Sequence, residues 1–197
     1  MNSDKPRMNR REYLKLMGLG AAAATMPACL TVADNGSSGG TTGNGGLRSG
    51  KNSLFEGGIR VPCIVRWPGV IAAGTICEEF LSAMEILPTL CRAAGVPSPE
   101  GVVLDGFEMT DVLAGKQKSP RREMFWQLRG DAAARVGDWK WVESSRGSGL
   151  FDLSKNISEH RDLSKEKPDV LEMVKTRFAR WQKLMAEAEP RGPFRDF

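Results

Sequence analysis

Residues 34–62 read DNGSSGGTTGNGGLRSGKNSLFEGGIRVP. An Asp-Asn pair opens a glycine turn, a run of small residues follows, and then come Lys51 and an acidic Gly-Gly elbow at 56–58. Carboxylate and amide oxygens are the donors that hard cations such as Ca²⁺ or Mg²⁺ prefer, and adjacent residues on a tight turn can point at one ion. Asp34 and Asn35 are therefore candidate metal ligands, and Lys51 is a candidate cation for an anionic substrate. Upstream, the short apolar run 30–33 (LTVA) reads as a strand whose carboxyl end feeds the turn. Ligand groups in α/β sheets collect at such ends. The stretch 36–46, almost wholly Gly, Ser, Thr and Asn, would be unremarkable as a linker; as an active-site loop it would let backbone approach an anion.

Within this stretch, 45–51 (GGLRSGK) fits the opening GxxxxGK of a phosphate-cradling loop. The match fails twice: position 52 is Asn rather than the Ser or Thr that would meet Mg²⁺, and the residues before Gly45 are loop-like rather than a strand. A nucleotide-binding loop is not the reading.

Downstream, 59–67 (IRVPCIVRW) predicts a second buried strand, with Pro62 placing it near an edge or bulge. Residues 82–94 (SAMEILPTLCRAA) have helical spacing in Met84, Leu87, Leu90 and Cys91, a Ser82 cap and a Gly95 stop; Pro88 kinks this helix or marks its true first turn. Beyond Pro99 the texture changes to short strands and turns. Residues 124–128, 134–142 and 150–153 alternate as a small antiparallel sheet. Pro168 can start a last helix carrying Leu171, Val174, Phe178, Trp181 and Met185 on one stripe. A helix of that kind is expected to pack on the sheet.

The amino terminus reads as an export signal. Asn9-Arg10-Arg11-Glu12-Tyr13-Leu14-Lys15 resembles the twin-arginine consensus, and residues 16–28 form a short small-residue apolar stretch before Cys29. That stretch falls short of the ~20 apolar residues a membrane span needs. Met26-Pro27-Ala28-Cys29 resembles a lipobox, so a lipid on Cys29 would tether the protein to a membrane; a plain cleaved signal and a surface helix are the alternatives. The chain would be exported: periplasmic, extracellular or lipid-anchored. The first fifteen residues carry five basic against two acidic side chains, which leaves 23 basic and 22 acidic residues in the rest of a chain of net charge +4. A nearly neutral body argues against a nucleic-acid partner. The four cysteines show no CxxC pair and no partnering His, which excludes a zinc site of the usual spacing. Cys63, Cys77 and Cys91 read as buried free thiols. His160, the only histidine, lies in a polar turn and reads as a solvated surface residue.

The order of these features resembles the carboxy-terminal part of the type I sulfatases, the arylsulfatase-like relatives of alkaline phosphatase. There a strand ending in Asp-Asn-Gly is followed by a Leu-Arg-Gly-Gly-Lys-like loop and a Glu-Gly-Gly-Ile-Arg-Val-Pro elbow. The resemblance continues through 67–69 (WPG), 85–90 (EILPTL), 104–106 (LDG), 113–115 (LAG), 137–140 (GDWK) and 150–153 (LFDL), covering residues 31 to about 188. It implies an α/β fold: the carboxy-terminal fragment of a sulfatase-like mixed sheet over 30–118, then a small antiparallel sheet packed by a C-terminal helix over 119–197, following an export signal at 1–29. It implies calcium ligation by Asp34 and Asn35, contact of Lys51 with the substrate sulfate, and hydrolysis of sulfate esters on a sulfated small molecule or polysaccharide. Glu56 and Arg60 are expected to anchor the elbow and are assigned no chemistry.

The family's nucleophile is a formylglycine made within a Cys/Ser-x-Pro-x-Arg motif, accompanied by an Asp-Asp metal pair and catalytic histidines. None of these occurs in the 197 residues. The calcium site is incomplete and no catalytic residue can be named. The chain is expected to lack turnover, leaving a non-catalytic exported remnant or interaction module as the alternative function. Phosphate-ester hydrolysis fits the metal logic but matches the Leu-Arg-Ser-Gly-Lys loop less well. A strand expected inside a parallel sheet also begins directly after the export signal with no neighbouring strand supplied. That juncture suggests a deletion or gene-model error near residues 29–31.

Overall fold

The computed structural model describes residues 29–32, 36, 45–97 and 103–188. The export segment, Asp34 and Asn35 lie outside the described residues. The chain is mixed α/β and forms two compact units that are not consecutive stretches: 63–119 groups with the N-terminal 32 residues, and 33–62 groups with 120–197. The sequence reading divides the chain at 29/30 and at 118/119, into consecutive stretches.

In the first unit, β1 (Cys29–Val32) pairs antiparallel with β2 (Cys63–Arg66), Leu30 opposite Val65 and Thr31 opposite Ile64. This corrects two expectations. β1 pairs antiparallel with β2 instead of lying unpaired in a parallel sheet. Nor is β2 buried: Cys63, Ile64 and Arg66 are exposed, and β1 is its one strand partner among the described residues. Residues 56–59, which belong to the second unit, form a one-turn helix, α1 (Glu56–Ile59), where the strand was expected to begin.

Ser82 caps a 3-10 turn (Ala83–Glu85) that leads into α2 (Ile86–Ala94). Its hydroxyl accepts from the Met84 N–H while the Glu85 carboxylate accepts from the Ser82 N–H, a reciprocal capping box. Pro88 falls in the first turn of α2, where no intrahelical N–H is missed, and Gly95 closes the helix with φ +68°. The buried side of α2 is Pro88 and Thr89, while Leu87 and Leu90 face outward, contrary to the predicted stripe. Thr89 decides this: its hydroxyl donates to the Glu85 carbonyl at 2.6 Å and accepts from the Met109 N–H at 3.0 Å, tying that face to the segment before α3 (Thr110–Leu113). Cys63 and Cys77 are exposed and Cys91 half-buried; all three are free, but not the buried hydrophobes expected.

In the second unit, β3 (Glu123–Leu128), β4 (Asp131–Val136), β5 (Trp139–Ser144) and β6 (Gly147–Asp152) form an antiparallel meander in that order. The expected stretch 134–142 is two strands, turned by Gly137 at φ +58° and Asp138. Alternation sends side chains to both faces, and both are covered. Ala134, Trp141 and Leu150 stand in one cross-strand row with Phe125, and against it lies α4 (Pro168–Glu187) through Val174, Phe178 and Trp181. Phe125 stacks on Trp181 at 5.5 Å and Trp141 meets Phe178 edge-on at 5.3 Å. Pro168 occupies the first turn as predicted, and Asp169 complements the helix dipole there. Met185 has run past the sheet and is exposed. On the opposite face, Ala133, Val142 and Phe151 are covered by Leu54 and Phe55.

Candidate functional site

The elbow that follows Lys51 is thus the second cover of the sheet, and its attachment is both apolar and ionic. Phe55 is wholly buried, edge-on to Phe151 with ring centroids 6.1 Å apart. Glu56, the next residue, turns into a buried charge cluster. Lys140, flanked by Trp139 and Trp141 that face α4, points to the other face of the sheet by strand alternation. There its ammonium donates to Glu56 Oε1 at 2.8 Å and lies 2.9 Å from Glu159 Oε1. Lys140 and Glu159 are fully buried. Arg60 Nε adds a 2.7 Å bond to Glu56 Oε2, so Glu56 and Arg60 do brace the elbow. His160 is exposed while its neighbour Glu159 is sealed inside.

Burial raises the Glu56 carboxyl, but Lys140, by charge and hydrogen bond, and then Arg60 overcome it and hold Glu56 below its usual range. For Glu159 burial wins: Lys140 pulls down, the Glu56 charge pushes up, and the carboxyl lies above its usual value. The two therefore act oppositely on stability. Glu56 contributes stability that is present above its unfolded pKa and lost as pH falls through its lowered folded value. The folded state holds the Glu159 proton more tightly, so stability falls as pH rises from the unfolded pKa through the raised folded one. Glu159→Gln removes the second contribution and should gain stability relative to the parent as pH rises from the ordinary carboxylate range upward. Parallel urea-unfolding curves across that range check it; a constant difference contradicts it.

Glycine contacts decide how the loop lies on the elbow. Gly57 N–H donates to the Arg48 carbonyl at 2.9 Å, and Gly36 N–H donates to the Gly58 carbonyl at 3.0 Å. A methyl on Gly57 would stand 2.4 Å from the Arg48 and Ser49 carbonyl oxygens, and one on Gly36 would stand 1.9 Å from the Gly57 carbonyl oxygen. Only backbone without Cβ allows this approach. Lys51 lies on the loop so held, exposed and without an ion-pair partner among the described residues. Ser49 at φ +62° and Asn52 at φ +64° flank it in the left-handed region, which costs a non-glycine residue of order 1–3 kcal/mol.

Of the three residues the sequence singled out, Lys51 is placed by the structure, while Asp34 and Asn35 precede Gly36 outside the described residues. Among the described residues no group of three His, Cys, Asp or Glu could hold a metal ion. Sequence reasoning missed Lys140 and Glu159. The signal available was a Lys between two Trp in a strand whose alternate residues are apolar on both faces.

A sheet-docked loop that presents a lysine from a glycine-lined elbow belongs, by its fold, to the sulfatase class of α/β proteins. The crystal structure of Ps i-CgsB matches 87% of the chain at a TM-score of 0.71 and 28% identity, and the chain covers 40% of that structure. The same protein has been solved in complex with k-i-k-neocarrahexaose. A family model described as N-sulphoglucosamine sulphohydrolase, C-terminal, matches residues 48–184, and the chain belongs to this sulfatase family. It is 39% identical to human arylsulfatase A over 145 residues, 68% of this chain and 28% of that enzyme. It is 32% identical to an N-acetylgalactosamine-6-O-sulfatase of Bacteroides thetaiotaomicron over 162 residues, 70% of this chain and 32% of that enzyme. The chain thus spans about three tenths of the curated relatives it matches.

Proposed function

We propose that residues 34–62 form the metal- and sulfate-contacting wall of a sulfate-ester hydrolase site, with Asp34 and Asn35 as calcium ligands and Lys51 as the sulfate contact. One observation carries the reading. Gly36, joined to Asn35 by a peptide bond, is hydrogen-bonded to Gly58, while Gly57 next to it is hydrogen-bonded to Arg48 in the loop of Lys51. The residue that follows Asn35 and the lysine loop are thus fastened to two adjacent glycines, Gly58 and Gly57.

The donor chemistry fits the ion: a carboxylate and an amide carbonyl are two of the about six to eight oxygens Ca²⁺ takes. When bound, a cation there would offset charge on the sulfate oxygens as the ester bond breaks. Lys51, solvent-facing on a braced loop, supplies a compact ammonium to the same oxygens. A sulfated saccharide is the proposed ligand, in keeping with the sugar-sulfatase name of the Bacteroides relative and the oligosaccharide complex of Ps i-CgsB. Export through the twin-arginine-like segment at 9–15 is part of the reading, as is a membrane tether if Cys29 is lipidated.

The 197 residues contain no Cys/Ser-x-Pro-x-Arg motif and hence no formylglycine precursor of that type. By itself this chain should bind rather than hydrolyse. The purified 197-residue chain, assayed with an aryl sulfate and calcium, is expected to release no sulfate; catalytic release overturns the assignment of the nucleophile to another part of the family's fold.

A further inference from the structure

We infer that Glu159 and Arg48 form a clamp that positions Lys51, closing both ends of the 48–56 loop onto one residue more than a hundred positions away. The proposal rests on Lys51 as the anion contact and adds what sets its place.

Glu159 makes two contacts with the loop. Its side-chain Oε2 accepts from the Glu56 N–H at 2.6 Å, five residues after Lys51. Its backbone carbonyl accepts from Arg48 Nη1 at 3.0 Å, three residues before Lys51. The Arg48 guanidinium also lies over the Phe55 ring at 4.0 Å, so the two ends of the loop grip each other as well as Glu159. Glu159 itself is left-handed, φ +54°, which turns its carbonyl to Arg48 while its carboxylate runs inward to Lys140.

The span between the two ends explains why a clamp is needed. Ser49 and Asn52 are left-handed on either side of Lys51, and such residues persist only where surrounding contacts over-determine the backbone. Freed at one end, the loop can relax toward extended conformations and carry the ammonium with it. Lys51 makes no ion pair among the described residues that could hold it otherwise. Lys140 serves the clamp indirectly, by keeping the Glu159 and Glu56 carboxylates side by side.

The test uses the full chain, with inorganic sulfate as probe, in the parent, Arg48→Ala, Glu159→Ala, Glu159→Gln and Lys51→Ala. The φ-dependent amide couplings of Ser49 and Asn52 report the loop, and sulfate-induced amide shifts of residues 49–52 report binding. Arg48→Ala and Glu159→Ala are expected to move both couplings toward extended values and to weaken sulfate binding roughly tenfold. Glu159→Gln, whose amide oxygen can still accept from the Glu56 N–H, should retain most of both. Arg48 is half-buried, so its replacement stays informative if Glu159→Ala fails to fold. Parent-like couplings and sulfate affinity in folded Arg48→Ala or Glu159→Ala overturn the clamp. Parent-like sulfate affinity in Lys51→Ala overturns the anion reading instead, and the couplings then still decide whether the clamp shapes the loop.

Discussion

Replacing Lys140 with Met is expected to cost about 3–5 kcal/mol, the range for removing one partner of a buried ion cluster. The ammonium is fully buried and serves both Glu56 and Glu159. Without it, two carboxylates face each other away from water, with Arg60 at the half-open edge of Glu56 and the charge of Arg135, opposite Lys140 in the ladder, as the cations left near Glu56. One of them must take up a proton or drag in water, and Glu159, already above its usual range, is the one that protonates. Domains are stable by only about 5–15 kcal/mol, so the second unit would be left near its limit. Adding Glu159→Gln to Lys140→Met removes the like-charge conflict and should recover part of the loss. Urea unfolding followed by tryptophan fluorescence reads this directly, since Trp126, Trp139, Trp141 and Trp181 lie in that unit. A loss below about 1 kcal/mol would mean that the cluster is not the brace described.

Phe55→Ala should be comparably severe, about 3–5 kcal/mol, as for a large aromatic side chain truncated in a packed core. Phe55 has no exposed surface, meets Phe151 edge-on and lies under the Arg48 guanidinium. Its removal opens a cavity between the elbow and the sheet and loosens the loop that carries Lys51. The loss of stability should therefore be accompanied by collapse of the left-handed couplings at Ser49 and Asn52. Truncation on the other face, at Phe178, would destabilise the unit without that local signature as long as it stays folded. Denaturant midpoints and the couplings together separate the two faces.

The parts of the fold legible in the sequence were those with local signals. The Ser82 cap, Gly95, Pro168 and the 171–181 stripe marked helix ends and faces through capping, φ and 3.6-residue periodicity. Short alternating runs marked the four-stranded sheet, although Gly137-Asp138 split one of them into a hairpin. Non-local packing was not legible. Pro62 pointed to an edge or bulge, but nothing in 59–67 shows whether the strand is covered, because that depends on which layers arrive from elsewhere. The collinear motif order led to Lys51, whose exposure suits its proposed role. Glu159 went unread because a glutamate in a polar turn looks solvated, and Lys140 because a lysine in a strand reads as its solvent-facing position; strand alternation onto a covered face and the left-handed turn at Glu159 bury them.

The central claim is that Lys51 is the anion contact of a preformed sulfatase wall, and titrating the full chain with inorganic sulfate tests it most directly. The account predicts saturable shifts at residues 49–52 in the parent, lost in Lys51→Ala and unchanged in Lys183→Ala, an exposed lysine of α4. Parent residues 49–52 that ignore sulfate, or a Lys51→Ala chain that binds it as the parent does, would contradict the account.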